Sequence, residues 1–149
     1  MKRPAFAFGA KIGGKAKRCW ICSACGHWHD VMPGKKNGPR NCVKCDSFCH
    51  HFQSQAEAGR YMELRTLQAH GKIGALKCQP RFPLNIIAPS GAVKGFGAYV
   101  ADFQFEDFES SPPLVRTQDI KGSAMTELSD MKRRIAEWLY GIEIEIVKR

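Results

Sequence analysis

From Ser54 onward the chain switches between two hydrophobic periods. Ser54-Gln-Ala-Glu57 is an S-x-x-E capping box, in which a hydroxyl and a carboxylate satisfy free amides at a helix start. Tyr61, Leu64 and Leu67/Gln68 follow at helical spacing, and His70-Gly71 marks the end. Glu57 stands four residues before Tyr61 and seven before Leu64, so it belongs to the inward face. The period then shortens to two. Ile73–Cys78 and Phe82–Ile87 read as strands, punctuated by Pro80 and Pro89. Gly97–Phe105 reads as one strand, with Tyr99, Ala101, Phe103 and Phe105 on one face and Val100, Asp102 and Gln104 on the other. Leu114–Lys121 is another, in which Val115, Thr117, Asp119 and Lys121 share a face. Glu127 to Tyr140 predicts a second helix: Leu128, Met131, Ile135 and Trp138 recur at 3, 4, 3 spacing and Gly141 stops it. Ile142, Ile144 and Ile146 alternate along a final strand. Helix, three or four strands, helix, strand is the order of an α/β unit, a mixed sheet flanked by helices.

Residues 18–50 follow a different rule. Six of the seven cysteines, Cys19, Cys22, Cys25, Cys42, Cys45 and Cys49, fall there, with Cys78 apart. Cys22-Ser-Ala-Cys25 and Cys42-Val-Lys-Cys45 are C-x2-C pairs separated by sixteen residues, the spacing of a four-thiolate zinc site. Each pair makes a tight knuckle whose sulfurs reach one tetrahedral ion at about 2.3 Å. Cys19-Trp-Ile-Cys22 is a third C-x2-C, so the register can slip, with Cys49, His27, His29, His50 and His51 as substitute ligands. Gly26 after Cys25 favours the Cys22/Cys25 register. Four filled positions predict a structural zinc ribbon whose metal supplies its folding free energy. Trp20 and Trp28 are expected to pack over the knuckles. Cys78 is expected as a small core residue. An odd cysteine count without a secretory signal points to a reducing, cytoplasmic interior.

Charge sharpens this division. The net charge is +9, and residues 1–50 carry ten Lys or Arg against two Asp, a balance of +8. Residues 51–149 carry thirteen against twelve, a balance of +1. Releasing condensed counterions from a polyanion drives binding of such a basic segment, so nucleic acid is the expected partner. No stretch is apolar enough to span a membrane. The expected organisation is a basic arm at 1–17, a zinc ribbon at 18–50 and an α/β domain at 51–149.

Asp102 and Asp119 fall inside strands, where a carboxylate costs stability unless it has a task. Asp119 and Lys121 project from one strand face about 6–7 Å apart. Carboxylates on neighbouring strands bind a hard cation such as Mg²⁺, and a lysine beside them suits phosphodiester hydrolysis. Asp130-Met-Lys132 repeats the triplet on a helix, where residues two apart diverge. Lys132, Arg133 and Arg134 read as a solvated face.

The segments FQSQAEAGRYMELRTLQAHGKIGALKCQPRFPL, YVADFQFED and LVRTQDIKGS resemble a small phage and prophage family of unknown function, assigned to the PD-(D/E)XK, restriction-endonuclease-like nuclease superfamily. The resemblance runs from about Phe52 to Val147. It implies a restriction-endonuclease-like mixed sheet and a metal-dependent DNA endonuclease. It also implies Asp102 and Asp119 as Mg²⁺ or Mn²⁺ ligands, Lys121 as the catalytic lysine, Glu57 as a third acidic group and the Ile120 carbonyl as a further ligand. Gln79 matches the family's Q-P. Two departures stand out: the superfamily more often has Glu at Asp119 and Pro at Ala101. The order Glu, Asp, Asp-x-Lys is similar to junction-resolving endonucleases, which implies branched DNA, a homodimer and a phage protein in a bacterial cytoplasm. The alternative is a non-catalytic zinc-ribbon protein, binding nucleic acid or modulating transcription on a degenerate nuclease fold. A protein-binding adaptor in a phage complex is a third expectation.

Overall fold

A computed structural model describes residues 17–31 and 35–149. The expected basic arm lies outside the described residues except for Lys17. The amino-terminal part forms β1 (Cys19–Cys22), β2 (Trp28–His29) and β3 (Cys49–Phe52), an antiparallel sheet in the order β2-β1-β3. Helix α1 (Gln55–Ala69) follows. Its start is the predicted capping box: the Glu57 amide donates to Ser54 Oγ, and the Gln53 amide donates to the Glu57 carboxylate at 3.0 Å.

Next come β4 (Ile73–Cys78), β5 (Arg81–Ile87), β6 (Val93–Val100) and β7 (Phe103–Asp107). They are two long strands of one hairpin, each broken in the middle. β5 pairs with β6 as a two-stranded ribbon, while β4 and β7 pair in a four-stranded sheet, β4-β7-β8-β9. The two breaks lie opposite each other. The Gln79 amide donates to the Asp102 carbonyl and the Ala101 amide to the Pro80 carbonyl, so pairing continues through a shared corner. The single strand expected over Gly97–Phe105 is therefore two strands bent at Ala101-Asp102. Beyond the bend the Asp102 amide changes partner, donating to Gln118 in β8 (Leu114–Lys121).

Helix α2 (Glu127–Tyr140) crosses over to β9 (Ile144–Lys148), which pairs with β8 in parallel. β7 and β8 are antiparallel, so the sheet is mixed, as expected. Thr126 caps α2 and Gly141 ends it in the left-handed conformation, at φ 61°. No helix among the described residues is long and apolar enough to cross a membrane.

Two apolar clusters flank the main sheet. Tyr61 and Leu64 of α1 pack on Ile73, Phe103, Phe105 and Ile120. On the opposite face, Ala136 of α2 packs with Phe82, Leu84, Tyr99, Ala101 and Ile144. The bend thus sends Tyr99 and Ala101 to one cluster and Phe103 and Phe105 to the other, splitting a set that simple alternation places together. The 3, 4, 3 stripe on α2 also departs from a core role. Leu128, Met131 and Trp138 are 58%, 54% and 82% exposed, and Ala136 is the helix's buried residue.

The division expected at residue 50 passes through β3. Cys19, Ile21 and Phe52 of the first sheet belong to the α1 cluster. Phe52 lies 5.0 Å from the Tyr61 ring and 6.1 Å from Phe103. Arg65 of α1 reaches back, donating to the carbonyls of Cys22 and Ala24. The two parts share one core. We expect Phe52→Ala to cost about 3–5 kcal/mol and to lower the stability of both parts together. Denaturant unfolding followed by tryptophan fluorescence and by far-ultraviolet circular dichroism should give coincident transitions; separated transitions would show independent units.

Candidate active site and metal centre

The cysteines resolve into one register. Cys22, Cys25, Cys42 and Cys45 place their sulfurs all within 4.8 Å of one another. The Cys22–Cys45 and Cys25–Cys42 sulfur separations are 3.4 and 3.6 Å. Four sulfurs on one ion at 2.3 Å would stand about 3.8 Å apart at the edges of a tetrahedron, so the set fits a metal such as zinc. The two knuckles are built alike. The amide of Gly26 donates to the Cys22 carbonyl, and that of Asp46 to Cys42. Both fourth residues take left-handed backbone, at φ 72° and 57°. Glycine suits the first position doubly, because a Cβ on Gly26 would lie 2.6 Å from the Arg65 guanidinium. Amides also point at sulfur: Cys25 N–H at Cys22 and Lys44 N–H at Cys42, each at 3.4 Å. Hydrogen bonding from Ser47 pulls the Cys45 thiol down to about 6, favouring thiolate.

The alternative ligands sit elsewhere. Burial pushes the Cys19 thiol up to about 12 and the Cys49 thiol up to about 11, which keeps both protonated. Cys19 belongs to the α1 core, and Trp20 packs with Cys22, Cys42 and Cys49, as expected for a side chain covering the knuckles. Trp28 is 38% exposed. The rings of His29 and His51 flank Trp20 from the neighbouring strands.

The acidic residues converge where the hairpin bends. Asp119 on β8 is 2% exposed. One of its carboxylate oxygens accepts the Lys121 ammonium at 2.9 Å, and the other accepts the Tyr99 hydroxyl. Asp102 turns toward the same strand and accepts the Ile120 amide at 2.6 Å. Burial, opposed by that amide and reinforced by Asp119 and Glu57, pushes the Asp102 carboxyl up to about 8. Burial and the Asp119 carboxylate also raise the Tyr99 phenol. An open cleft of about 310 Å³ borders Asp119 and Lys121, with Tyr99, Thr126, Ser129 and Lys132 also in its lining, while Asp102 is not among the lining residues. Lys132, expected on a solvated face, thus borders the cleft. Arg133 is instead held on α2 by Asp130 and Glu137.

The structure therefore brings Asp102, Asp119 and Lys121 together. Glu57 stays near enough to repel Asp102, but its oxygens serve the Ser54 cap and the Gln53 amide. Among the described residues, the three carboxylates do not gather within 4.8 Å of one another. Ile120 carries its amide toward Asp102, and strand alternation aims its carbonyl at the same edge. Gln79 holds left-handed backbone at φ 53°, and its side chain donates to the His51 carbonyl, tying the corner to β3.

Sequence reasoning missed Tyr99 as a partner of Asp119, because alternation assigns it to the core. It also missed a polar chain behind the site: Arg60 donates to Gln118, Gln118 to Glu145, and Arg116 to Glu145 and Asp107.

The family described as "Protein of unknown function (DUF1064)" matches residues 40–147. The chain belongs to that family. No curated protein and no solved structure matches it. The DUF1064 match takes in Cys42, Cys45, Asp102, Asp119 and Lys121, and begins after Cys22 and Cys25.

Two outcomes follow from these geometries. The metal-binding set should take up about one zinc per chain, and Cys42→Ser should lose it and lower thermal stability. Metal analysis after gel filtration checks this, and a metal-free, equally stable wild type would refute it. The second concerns Asp102. Its folded pKa lies above the ordinary 3.8 of an exposed aspartate, so the stability this group contributes is fully present below about pH 4 and is lost as pH rises to about 8. Asparagine can still accept from Ile120 and can donate to Asp119. In buffer free of Mg²⁺ and Mn²⁺, Asp102→Asn should melt above wild type at pH 8, with the gap closing toward pH 4. Equal melting temperatures across that range would contradict it.

Proposed function

We propose that the chain is a divalent-metal-dependent DNA endonuclease with a restriction-endonuclease-like fold, stapled by a structural zinc. The observation that carries this reading is the buried Asp119, paired with Lys121 on one face of β8 and set beside Asp102 at the hairpin bend. Two carboxylates this close disfavour joint ionisation unless a cation lies between them. Oxygen donors select a hard ion such as Mg²⁺ or Mn²⁺, which would supply Lewis acidity and an acidified bound water.

Each protein group then has a role. Asp102 and Asp119 would hold the ion, with the Ile120 carbonyl as a further oxygen donor. Tyr99 fixes the orientation of Asp119 by holding its far oxygen. Lys121, beside Asp119, would present its ammonium to the attacked phosphate and orient the nucleophilic water. Glu57 contributes through water, from its cap position. The basic excess of the first fifty residues, including Lys17, Arg18, Lys35, Lys36, Arg40 and Lys44, grips the phosphodiester backbone without reading bases. The likeness of the order Glu, Asp, Asp-x-Lys to junction-resolving endonucleases favours branched DNA recognised by shape. Cutting two strands calls for two sites, hence a homodimer. A phage protein acting in a bacterial cytoplasm suits this activity.

One observation favours the non-catalytic reading. Both Asp119 oxygens already have partners, and the superfamily's usual Glu and Pro are absent at Asp119 and Ala101. Cleavage assays with Mg²⁺ or Mn²⁺ on linear, flapped and four-way DNA separate the two. Wild type should cut, and Asp119→Ala and Lys121→Ala should each lose roughly 10²- to 10⁴-fold in rate while retaining DNA binding. A wild type that binds DNA and cuts none of these substrates would leave the nucleic-acid-binding reading in its place.

A further inference from the structure

Helix α2 lends the cleft a polar edge. Thr126, Ser129 and Lys132 line it at three-residue spacing, which carries them along one side of the helix. β8 contributes Asp119 and Lys121, and β6 contributes Ala98, Tyr99 and Val100. Asp119 is the one carboxylate in the lining, and the Lys121 ammonium already sits on it. Lys132 is therefore a second cation in the same cleft, with no acid there left to neutralise it.

The acids of its own helix do not serve it either. Asp130 and Glu137 are both held by Arg133. Among the described residues Lys132 has no ion-pair partner. It is nonetheless half-buried. A Cβ on Gly97 would lie 3.9 Å from Lys132 Nζ, which places the ammonium across β6 rather than out in solvent. Ordering a lysine there costs side-chain freedom, and an anion in the cleft would offset that cost with a charge-assisted hydrogen bond. The hydroxyls beside it suit the same ligand. The Ser129 amide donates to Thr126 Oγ at 3.2 Å, which leaves the Thr126 proton to be donated. Lysine, serine and threonine side chains are among the usual donors to a nucleic-acid backbone phosphate.

We propose that Lys132, with Ser129 and Thr126, binds the backbone phosphate next to the one attacked, on the same nucleic-acid strand. This rests on the nuclease reading for the place of the attacked phosphate, which Lys121 faces. A strand carries one phosphate per about 3.4 Å of duplex axis, so a strand seated at Lys121 brings its next phosphate into the same cleft. Lys132 then sets the register of the strand over Asp119 without reading its sequence. The amino-terminal basic segment supplies affinity, and Lys132 supplies placement. Asp130-Met-Lys132 thus repeats the acid-x-lysine triplet of β8 to a different end: the helical turn sends its acid to Arg133 and its lysine to the cleft.

Arg134 provides the control. It stands two positions on, beside Met131, Ile135 and Trp138 on another side of α2, and carries the same charge outside the cleft. Fluorescence anisotropy of the full, zinc-loaded chain with linear and four-way DNA, without added Mg²⁺ or Mn²⁺ and between about 50 and 200 mM chloride salt, tests the assignment. Circular dichroism verifies folding of each variant. Lys132→Gln should weaken binding about tenfold at the low-salt end. It should also reduce the slope of log affinity against log salt by about one, alike on every sequence. Lys132→Arg should stay within a few-fold of wild type, Ser129→Ala should lose less than Lys132→Gln, and Arg134→Gln should leave affinity and slope nearly unchanged. Equal losses in Lys132→Gln and Arg134→Gln would reduce the effect to overall charge and overturn the proposal, as would a Lys132→Gln slope equal to wild type. Inorganic phosphate that displaces DNA more strongly than chloride at equal ionic strength would assign the site to the free anion and overturn the strand assignment. Cleavage with Mg²⁺ separates the two readings. A wild type that binds DNA through Lys132 yet cuts none would sink the nuclease and leave this phosphate site standing, whereas a wild type that cuts, with Lys132→Gln binding and cutting as it does, would do the reverse.

Discussion

Everything in the α/β part depends on one pair of backbone hydrogen bonds, Gln79 N–H to the Asp102 carbonyl and Ala101 N–H to the Pro80 carbonyl. They hold a hairpin together while both its strands turn a corner. Without them the hairpin would be a flat ribbon with one apolar face. With them, β4 and β7 enter the main sheet while β5 and β6 fold over as a floor for α2. Strand pairing at a corner leaves some groups unmatched on the outer edge. Here the Ile120 amide is such a group, and Asp102 satisfies it with a side chain because no strand lies there to do so. The bend that divides the core also delivers a carboxylate to the end of β8.

That placement explains the electrostatics. A buried carboxylate needs donors, and Asp119 finds Tyr99 from the folded-over ribbon and Lys121 from its own strand. Asp102 has one amide for company, so its ionised form is the less favoured. A fold selected only for stability would replace such a pair with apolar groups of similar volume, which often leaves stability unchanged or improved. An acid raised by burial beside a committed carboxylate and an ammonium is the arrangement on which the proposed cation site rests.

Much of this was legible along the chain, and the failures share a cause. Period-two and period-3.6 patterns located both helices and β4, β5 and β8 closely, because within each segment the spacing of apolar positions is local and unbroken. The zinc-type register was legible because C-x2-C geometry is local. Asp119 and Lys121 were legible as a same-face pair for the same reason. Gly97–Phe105 misled, because alternation continues unbroken through a bend that moves half of it into another sheet. No local pattern records a change of partner. Tyr99 was lost with it, as was the Arg60–Gln118 bond, which joins residues 58 positions apart. The boundary drawn at residue 50 followed the shift in composition, yet β3 straddles it because Phe52 belongs to a core shared by both parts.

The α2 stripe carries the most instructive mismatch. Spacing alone marks Leu128, Met131, Ile135 and Trp138 as a helix seam, yet among the described residues Leu128, Met131 and Trp138 stay exposed. The helix meets its own fold chiefly through Ala136, whose small side chain allows close approach to β5 and β6. A close approach on that side leaves the bulky side chains standing clear on the next. A tryptophan held 82% in water beside two other large apolar groups makes an exposed apolar strip. The same periodicity therefore predicts the helix while its buried face lies on the neighbouring side, at Ala136. Since Leu128 belongs to both the strip and the cleft, the exposed side of α2 and the setting of Asp119 meet at a single side chain.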